Sequence, residues 1–275
     1  MNLPNFSKKW IYGSLLAVLL LSLYYPLFSF TQVPANMVQE NRLSEYMFAY
    51  VQVPIIVKNA LVEEHSFPLW NKWTWSGTPY LGIPNKFIFY PGFLAFIFLP
   101  TFAAILNYSL LFHVLLAGVG TYWLGKELFD SDEAALISTL VFLSSGFFFG
   151  ALSAGLVDWT YGAAYVPWFY LFLFKLWREP QKISYALLVA VTLALEFYTG
   201  MVQYFLYDLL MIPIFFLFFA VTGEKTPLKQ NLGKSILLMA LVGVFMLGLI
   251  APKLLPDLAY VSLSNRQILP PTVNF

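Results

Sequence analysis

Long apolar runs alternate with short polar breaks along this chain, and most of the runs have the length of a membrane-crossing helix. The first, from about Trp10 to Phe30, holds about 20 residues, the number an α-helix needs to cross a hydrocarbon core. Lys8 and Lys9 precede it, as basic residues precede a secretion signal. The run exceeds a signal's apolar region and no small-residue cleavage site follows, so it reads as an uncleaved first span. Further runs near 102–125, 134–153, 160–177, 184–201, 204–222 and 235–255 bring the expected total to about seven. "GFLAFIFLP", ending at Pro100, is too short to span and reads as a half-helix or re-entrant piece.

Residues 31–91 interrupt the apolar pattern with Glu40, Arg42, Glu45, Lys58, Glu63, Glu64, Lys72 and Lys86. They are expected to form a long first extracytoplasmic loop. Within it, "LSEYMFAYVQVPIIVKNALVEE" has apolar positions at helical spacing and predicts an amphipathic helix lying on the membrane surface. "FPLWNKWTWSGTPYLGIPNKFIFYP", Phe67 to Pro91, follows it. Trp70, Trp73 and Trp75 suit headgroup depth. Gly77, Pro79, Gly82 and Pro84 are turn formers. Asn71 and Asn85 can hydrogen-bond a turned backbone or a sugar. The stretch is expected to cap the outer mouth of a helix bundle, chiefly as a structural clamp.

Basic residues give an orientation. Lys126, then Lys175, Arg178 and Lys182, then Lys225, Lys229 and Lys234 fall in alternate linkers, whereas "SAGLVDW" and "TGMVQ" hold no Lys or Arg. This bias predicts a cytoplasmic N-terminus. The linker 125–133 departs from it, because Glu127, Asp130, Asp132 and Glu133 outnumber Lys126. An odd number of spans puts the other end outside. There, residues 256–275 read as the start of a further outer segment, and the chain as the amino-terminal part of a longer protein.

Composition agrees with this class. Of 275 residues 60% are hydrophobic and 11% charged, against about 25% charged in a soluble chain. The fold class expected is therefore an all-α integral membrane protein, with residues 1–275 as one transmembrane domain. A net charge of +1 offers no field for nucleic acid, and the absence of cysteine removes thiolate chemistry. No P-loop, dinucleotide fingerprint, HExxH or GxSxG occurs. His65 and His113 are too few to build a multi-histidine metal centre.

The remaining candidates are polar groups near the outer face. Glu45 could take a proton from a hydroxyl or help hold a divalent cation, or be an ordinary solvated acid. Asp158 could hold a metal or a cationic group, or cap the next helix. His113, Glu196 and Asp208 lie within or near spans, where ionisable groups are costly and raise a functional hypothesis. His113 could fix the loop, line a substrate cavity, or be satisfied by a neighbouring helix. Gln203 is also outward. Arg266 in "SLSNRQ" has a fork that matches phosphate oxygens, or a lipid headgroup.

The order "PLWNKWTWSGTPYLGIPNKFIFYP", "LLFHVLLAGVGTYWLGKEL", "SSGFFFG", "YVPWFYLFLF", "FYTGMVQYFLY" and "APKLLPDLAYVSLSNR" resembles the YfhO family of bacterial membrane proteins, within the GT-C type glycosyltransferases. The similarity runs over nearly the whole chain. It implies a multi-span enzyme of the bacterial cytoplasmic membrane. Such an enzyme takes a sugar from a polyprenyl-phosphate-linked donor at the outer face and adds it to a cell-envelope acceptor. The family's essential acid in the first outer loop, generally Asp, falls on Glu45. "GLVD" stands where members often read "GHPN", and "GMVQ" where they read "GHxQ", so Gln203 is retained and the histidines are not. The resemblance makes Glu45 the catalytic candidate. It makes Asn71, Asn85, His113, Asp158, Gln203 and Arg266 the substrate-binding candidates and leaves a divalent cation open. Two other functions are carried forward: an inactive scaffold or accessory subunit bound to another membrane protein, and a transporter. A transporter predicts an internal repeat, and none is visible.

Overall fold

The computed structural model describes residues 5–32, 52–73, 76–83, 86–222 and 232–263. Glu45, Asn85 and Arg266 lie outside the described residues, as do Trp75 and Pro84. The described chain is mostly helical, in keeping with an all-α membrane class. Its α-helices are α1 (Asn5–Tyr24), α2 (Gln52–Lys58), α3 (Pro91–Leu94), α4 (Phe102–Phe129), α5 (Asp132–Ser144), α6 (Gly146–Ser153), α7 (Val157–Ala163), α8 (Val166–Arg178), α9 (Ile183–Tyr198), α10 (Val202–Val221) and α11 (Leu232–Leu263).

Among the described residues, three stretches are long and apolar enough to cross a membrane: Phe102–Phe129, Val202–Phe219 and Ile236–Val261. A fourth arises if α5 and α6, bent by 42° at Ser145, count as one. The expected total of about seven is thus supported only in its coarser form, several crossing helices. α9 has 16 residues, short of a full span, and the predicted run 160–177 is divided between α7 and α8. The division falls just before Pro167, whose ring and missing N–H fit the first turn of a helix but not its interior.

Side chains account for the breaks. Thr101 Oγ1 accepts from Ala104 N at 3.0 Å and starts α4. Asp130 ends it in the left-handed region (φ 48°). Ser131 then accepts from Ala134 N at 3.2 Å and starts α5, with Asp132 and Glu133 in the first turn, where carboxylates favour the helix dipole. Ser145 restarts the chain as α6 by accepting from Phe148 N at 3.2 Å.

Side-chain bonds fix the relative direction of the first helices. At one end, Tyr12 of α1 donates to Glu133 at 2.5 Å, and Arg178 of α8 bonds Glu127 of α4 at 2.7 Å. At the other, Asn107 of α4 donates to the carbonyls of Ser29 and Gln32 at 2.9 and 2.8 Å, just past α1. α1 and α4 are therefore antiparallel. The excess of acids at 125–133 has a local cause. Asp132 pairs with Lys126 at 2.9 Å, and Glu127 with Lys175 at 3.1 Å and Arg178 at 2.7 Å.

The described part of the predicted amphipathic helix, from Gln52 onward, is helical and continues as a π-turn over Asn59–Glu63. Its buried face is set by Val53, Ile56 and Val57, which join the core cluster of α4, α6 and α7. That face lies against protein, so the helix is at least partly a packing element. "GFLAFIFLP" forms only the short α3 followed by turns, in keeping with a piece too short to span.

A second apolar cluster joins α8, α9, α10 and α11. Outside it, Leu206, Leu210, Ile214, Leu217 and Val221 form an exposed stripe on α10 at steps of three and four residues. Such a stripe needs an apolar surrounding, which lipid supplies. Small residues allow close approach inside. A Cβ on Gly125 would lie 2.9 Å from Ala135 Cα. We predict that Gly125→Leu separates α4 from α5 and costs about 1–3 kcal/mol. A thermal-unfolding midpoint measured in detergent should fall by several degrees, and Gly13→Leu, placed in open space, should leave it nearly unchanged.

Candidate functional site

The aromatic stretch is built on a two-residue hairpin, Trp70–Asn71 against Thr78–Pro79. Gly77 turns it at φ 99°, a conformation that disfavours side chains, and a Cβ there would meet the Trp70 indole at 2.5 Å. Asn71 is buried and its Oδ1 accepts from Trp73 N at 2.9 Å, an Asx turn that fixes the loop. Trp70 and Trp73 are exposed, as headgroup anchors would be, and the Lys72 ammonium lies 5.5 Å from the Trp73 ring centre and 2.6 Å from Glu64.

From Tyr80 onward the stretch turns inward. Tyr80, Phe87, Ile88, Tyr90 and Phe93 are all buried. Gly82 sits on α11 so closely that a Cβ would be 2.7 Å from Tyr260 Cβ and 3.0 Å from the Pro256 carbonyl oxygen. One loop thus contacts both the first core cluster and the last described helix.

Its anchor is Tyr90. The Tyr90 hydroxyl lies 2.5 Å from His113 Nε2 and 2.6 Å from the Tyr165 hydroxyl. His113 Nδ1 lies 2.5 Å from the Ser109 carbonyl oxygen. A carbonyl can only accept, so Nδ1 carries a proton there. In the neutral ring Nε2 then accepts from Tyr90, and Tyr90 in turn accepts from Tyr165. The His113 ring also stacks on Tyr161 with centroids 4.0 Å apart. The Tyr161 hydroxyl bonds Ser109 Oγ, which donates onward to the Leu106 carbonyl at 2.9 Å. His113 is fully buried and both its nitrogens are engaged by protein. Of the roles open to it in the sequence, this arrangement favours fixing the loop.

Asp158 is buried in the first turn of α7, and its Oδ1 accepts from Trp159 N at 2.9 Å. It lies within electrostatic reach of Lys86, from the aromatic stretch, and of Tyr204, from α10. Burial lowers the Lys86 ammonium's affinity for its proton, and the Asp158 charge partly restores it. Gln203, one residue before Tyr204, is exposed. Asp158 and Lys86 are therefore brought together at the bundle end that carries the aromatic stretch. Asn71 and His113 serve the loop's own structure.

Two polar groups in this region escaped sequence reasoning. Lys253 and Asp257, one turn apart on α11, form a buried ion pair at 2.7 Å. Lys253 Nζ also lies 5.5 Å from the centre of the Phe197 ring on α9. "PKLLPD" held the signal: a Lys and an Asp at i and i+4, each following a proline that frees a carbonyl one turn back. Among the described residues no group of three or more His, Asp or Glu is placed to hold a metal ion.

Comparison of the chain with family models, curated proteins and solved structures finds no match to any of them.

Two outcomes follow from this geometry. Tyr90→Phe deletes the donor to His113 and the acceptor of Tyr165. It should cost about 1–3 kcal/mol and increase proteolysis of the 67–91 loop, read by timed digestion and unfolding. Lys253→Met leaves a buried carboxylate unpaired and should cost about 3–5 kcal/mol; the double change Lys253→Met with Asp257→Leu should recover most of that loss.

Proposed function

We propose that the chain is a membrane glycosyltransferase of the GT-C type. It would transfer a sugar from a polyprenyl-phosphate-linked donor to a cell-envelope acceptor at the outer face of the bacterial cytoplasmic membrane. In this reading α1, α4, α5 with α6, α7 with α8, α9, α10 and α11 are seven crossings, with the N-terminus cytoplasmic. The family resemblance to YfhO-like proteins motivates it. The single structural observation that supports it is the clamp: the 67–91 stretch is tied to α4 through Tyr90 and His113 and to α11 through Gly82. A transferase working at a membrane surface needs its outer loop held against the bundle mouth, because productive geometry depends on fixed positions.

In the proposed reaction the acceptor hydroxyl attacks the sugar's anomeric carbon. Glu45 takes the hydroxyl proton, and the bond to the phosphate oxygen breaks with its electron pair left on that oxygen. Arg266 stabilises the developing negative charge; were a divalent cation bound, Glu45 would help hold it and it would supply the same stabilisation. Lys86 and Asp158, side by side at the same end, are joined to the site as donor-orienting groups. Asn85 and Gln203 face the sugar. His113 and Asn71 act as positioning residues.

A second reading is an inactive scaffold that retains this architecture and binds another membrane protein. It is favoured by the commitment of both ring nitrogens of His113 and of Asn71 Oδ1 to the protein itself. Reconstitution with a polyprenyl-phosphate sugar and an envelope acceptor separates the two. Transfer is expected for the wild type and a loss of about 100-fold or more for Glu45→Gln, the scale of a general base. Equal turnover by the variant removes Glu45 from the mechanism. Absence of transfer from every donor, with stable co-purification of a membrane subunit, favours the scaffold.

A further inference from the structure

We infer that Glu196 and Asp208 together hold one exchangeable proton in the interior of the bundle. The inference does not depend on the proposed transferase activity. Glu196 of α9 is fully buried, and neither of its carboxyl oxygens has a hydrogen-bond donor among the described residues. Asp208 of α10 is 4% exposed, and its Oδ2 is likewise without a donor. The two carboxyl groups face each other across the α9–α10 contact.

The groups around the pair are phenols and acids. Tyr170 of α8 lies beside both carboxyls, and Tyr165, just before α8, and Tyr204 of α10 are within reach of Glu196. Asp158 of α7 reaches the same Tyr204 and has Lys86 as its neighbour. From α11, Lys253 meets α9 at Phe197, but its ammonium is paired with Asp257, which in turn acts on Tyr198. His113 connects only indirectly, through Tyr90 and Tyr165. No described Lys, Arg or His is among the groups acting on the pair itself.

Two carboxylates in contact, buried and with no counter-cation among the described residues, are a costly arrangement. A proton removes the repulsion. The protonated carboxyl then donates its O–H to the other group, so one of the orphan oxygens gains a donor. Release is a simple exchange: the proton leaves to water or a base, and both groups remain as carboxylates. Because the pair joins α9 to α10, its proton occupancy sets how firmly those helices hold together.

The full chain in nanodiscs tests this. At neutral pH the wild type should show the infrared C=O stretch of a protonated carboxylic acid, shifted in heavy water and lost as pH rises. Glu196→Gln and Asp208→Asn should each abolish it, since a single carboxylate facing an amide has a donor and no like charge. The native state binds the proton and the unfolded chain at neutral pH does not. The wild-type unfolding midpoint should therefore fall as pH rises, and those of the two variants should fall less. Absence of the band from the wild type overturns the inference, and that spectrum decides the matter even where a variant fails to fold. A band unchanged in both variants also overturns it. So does a wild-type midpoint that rises with sodium but not choline at equal ionic strength, which would assign the site to an alkali cation.

Discussion

A polar group buried among apolar helices must find its partner inside the protein, because no water is present to serve as one. Much of this structure follows from that constraint. Tyr90 reaches from the 67–91 stretch to His113, and the hydrogen-bonded chain that begins there ends on the Ser109 carbonyl in the backbone of α4 itself. The loop is held because its tyrosine satisfies a histidine that has no other donor to Nε2 among the described residues. The histidine is in turn held in one orientation because its other nitrogen faces a carbonyl. Local order in the loop and order within the span are one network.

The same constraint separates the two ends of the bundle. At the end that carries Lys126, Lys175 and Arg178, charges are partly exposed, and each of these cations pairs with an acid. Exposed pairs of this kind contribute little stability, typically under about 1 kcal/mol each. Their value is directional, since they match helix ends. At the other end some described charges are exposed, as in the Lys72–Glu64 pair, and others are buried. Lys253 with Asp257 sits where breaking a pair costs far more than forming it gains.

The apolar pattern made the class and the long helices legible, because lipid rewards unbroken runs at α4, α10 and α11. It did not reveal where α5 gives way to α6, since Ser145 acts through a cap that a hydropathy average does not register. Nor did it separate α7 from α8. Turn chemistry was legible at Gly77 and Asn71, where backbone conformation demands particular residues. The acids at 125–133 looked like a violation of the charge bias because sequence lists charges without their partners; folded, Asp132 and Glu127 answer Lys126, Lys175 and Arg178. The Lys253–Asp257 pair went unseen for the converse reason: a run of apolar neighbours hid two charges that cancel.

The residues that stood out in the sequence and those that stand out in space differ in kind. His113 is conspicuous as a lone histidine in an apolar run, yet its bonds are complete and its role is to hold. Glu196 and Asp208 are twelve positions apart and belong to different helices, so nothing in a linear reading pairs them. Folding a tight turn between α9 and α10, with Gly200 in the left-handed region at φ 86°, returns the chain on itself and brings the two acids level. A short connection between antiparallel helices makes such a meeting a matter of register, and register is a property of the packed pair. Three of the buried side-chain atoms left without a partner among the described residues belong to these two ordinary-looking acids, and their meeting gives a small exchangeable ligand something to bind.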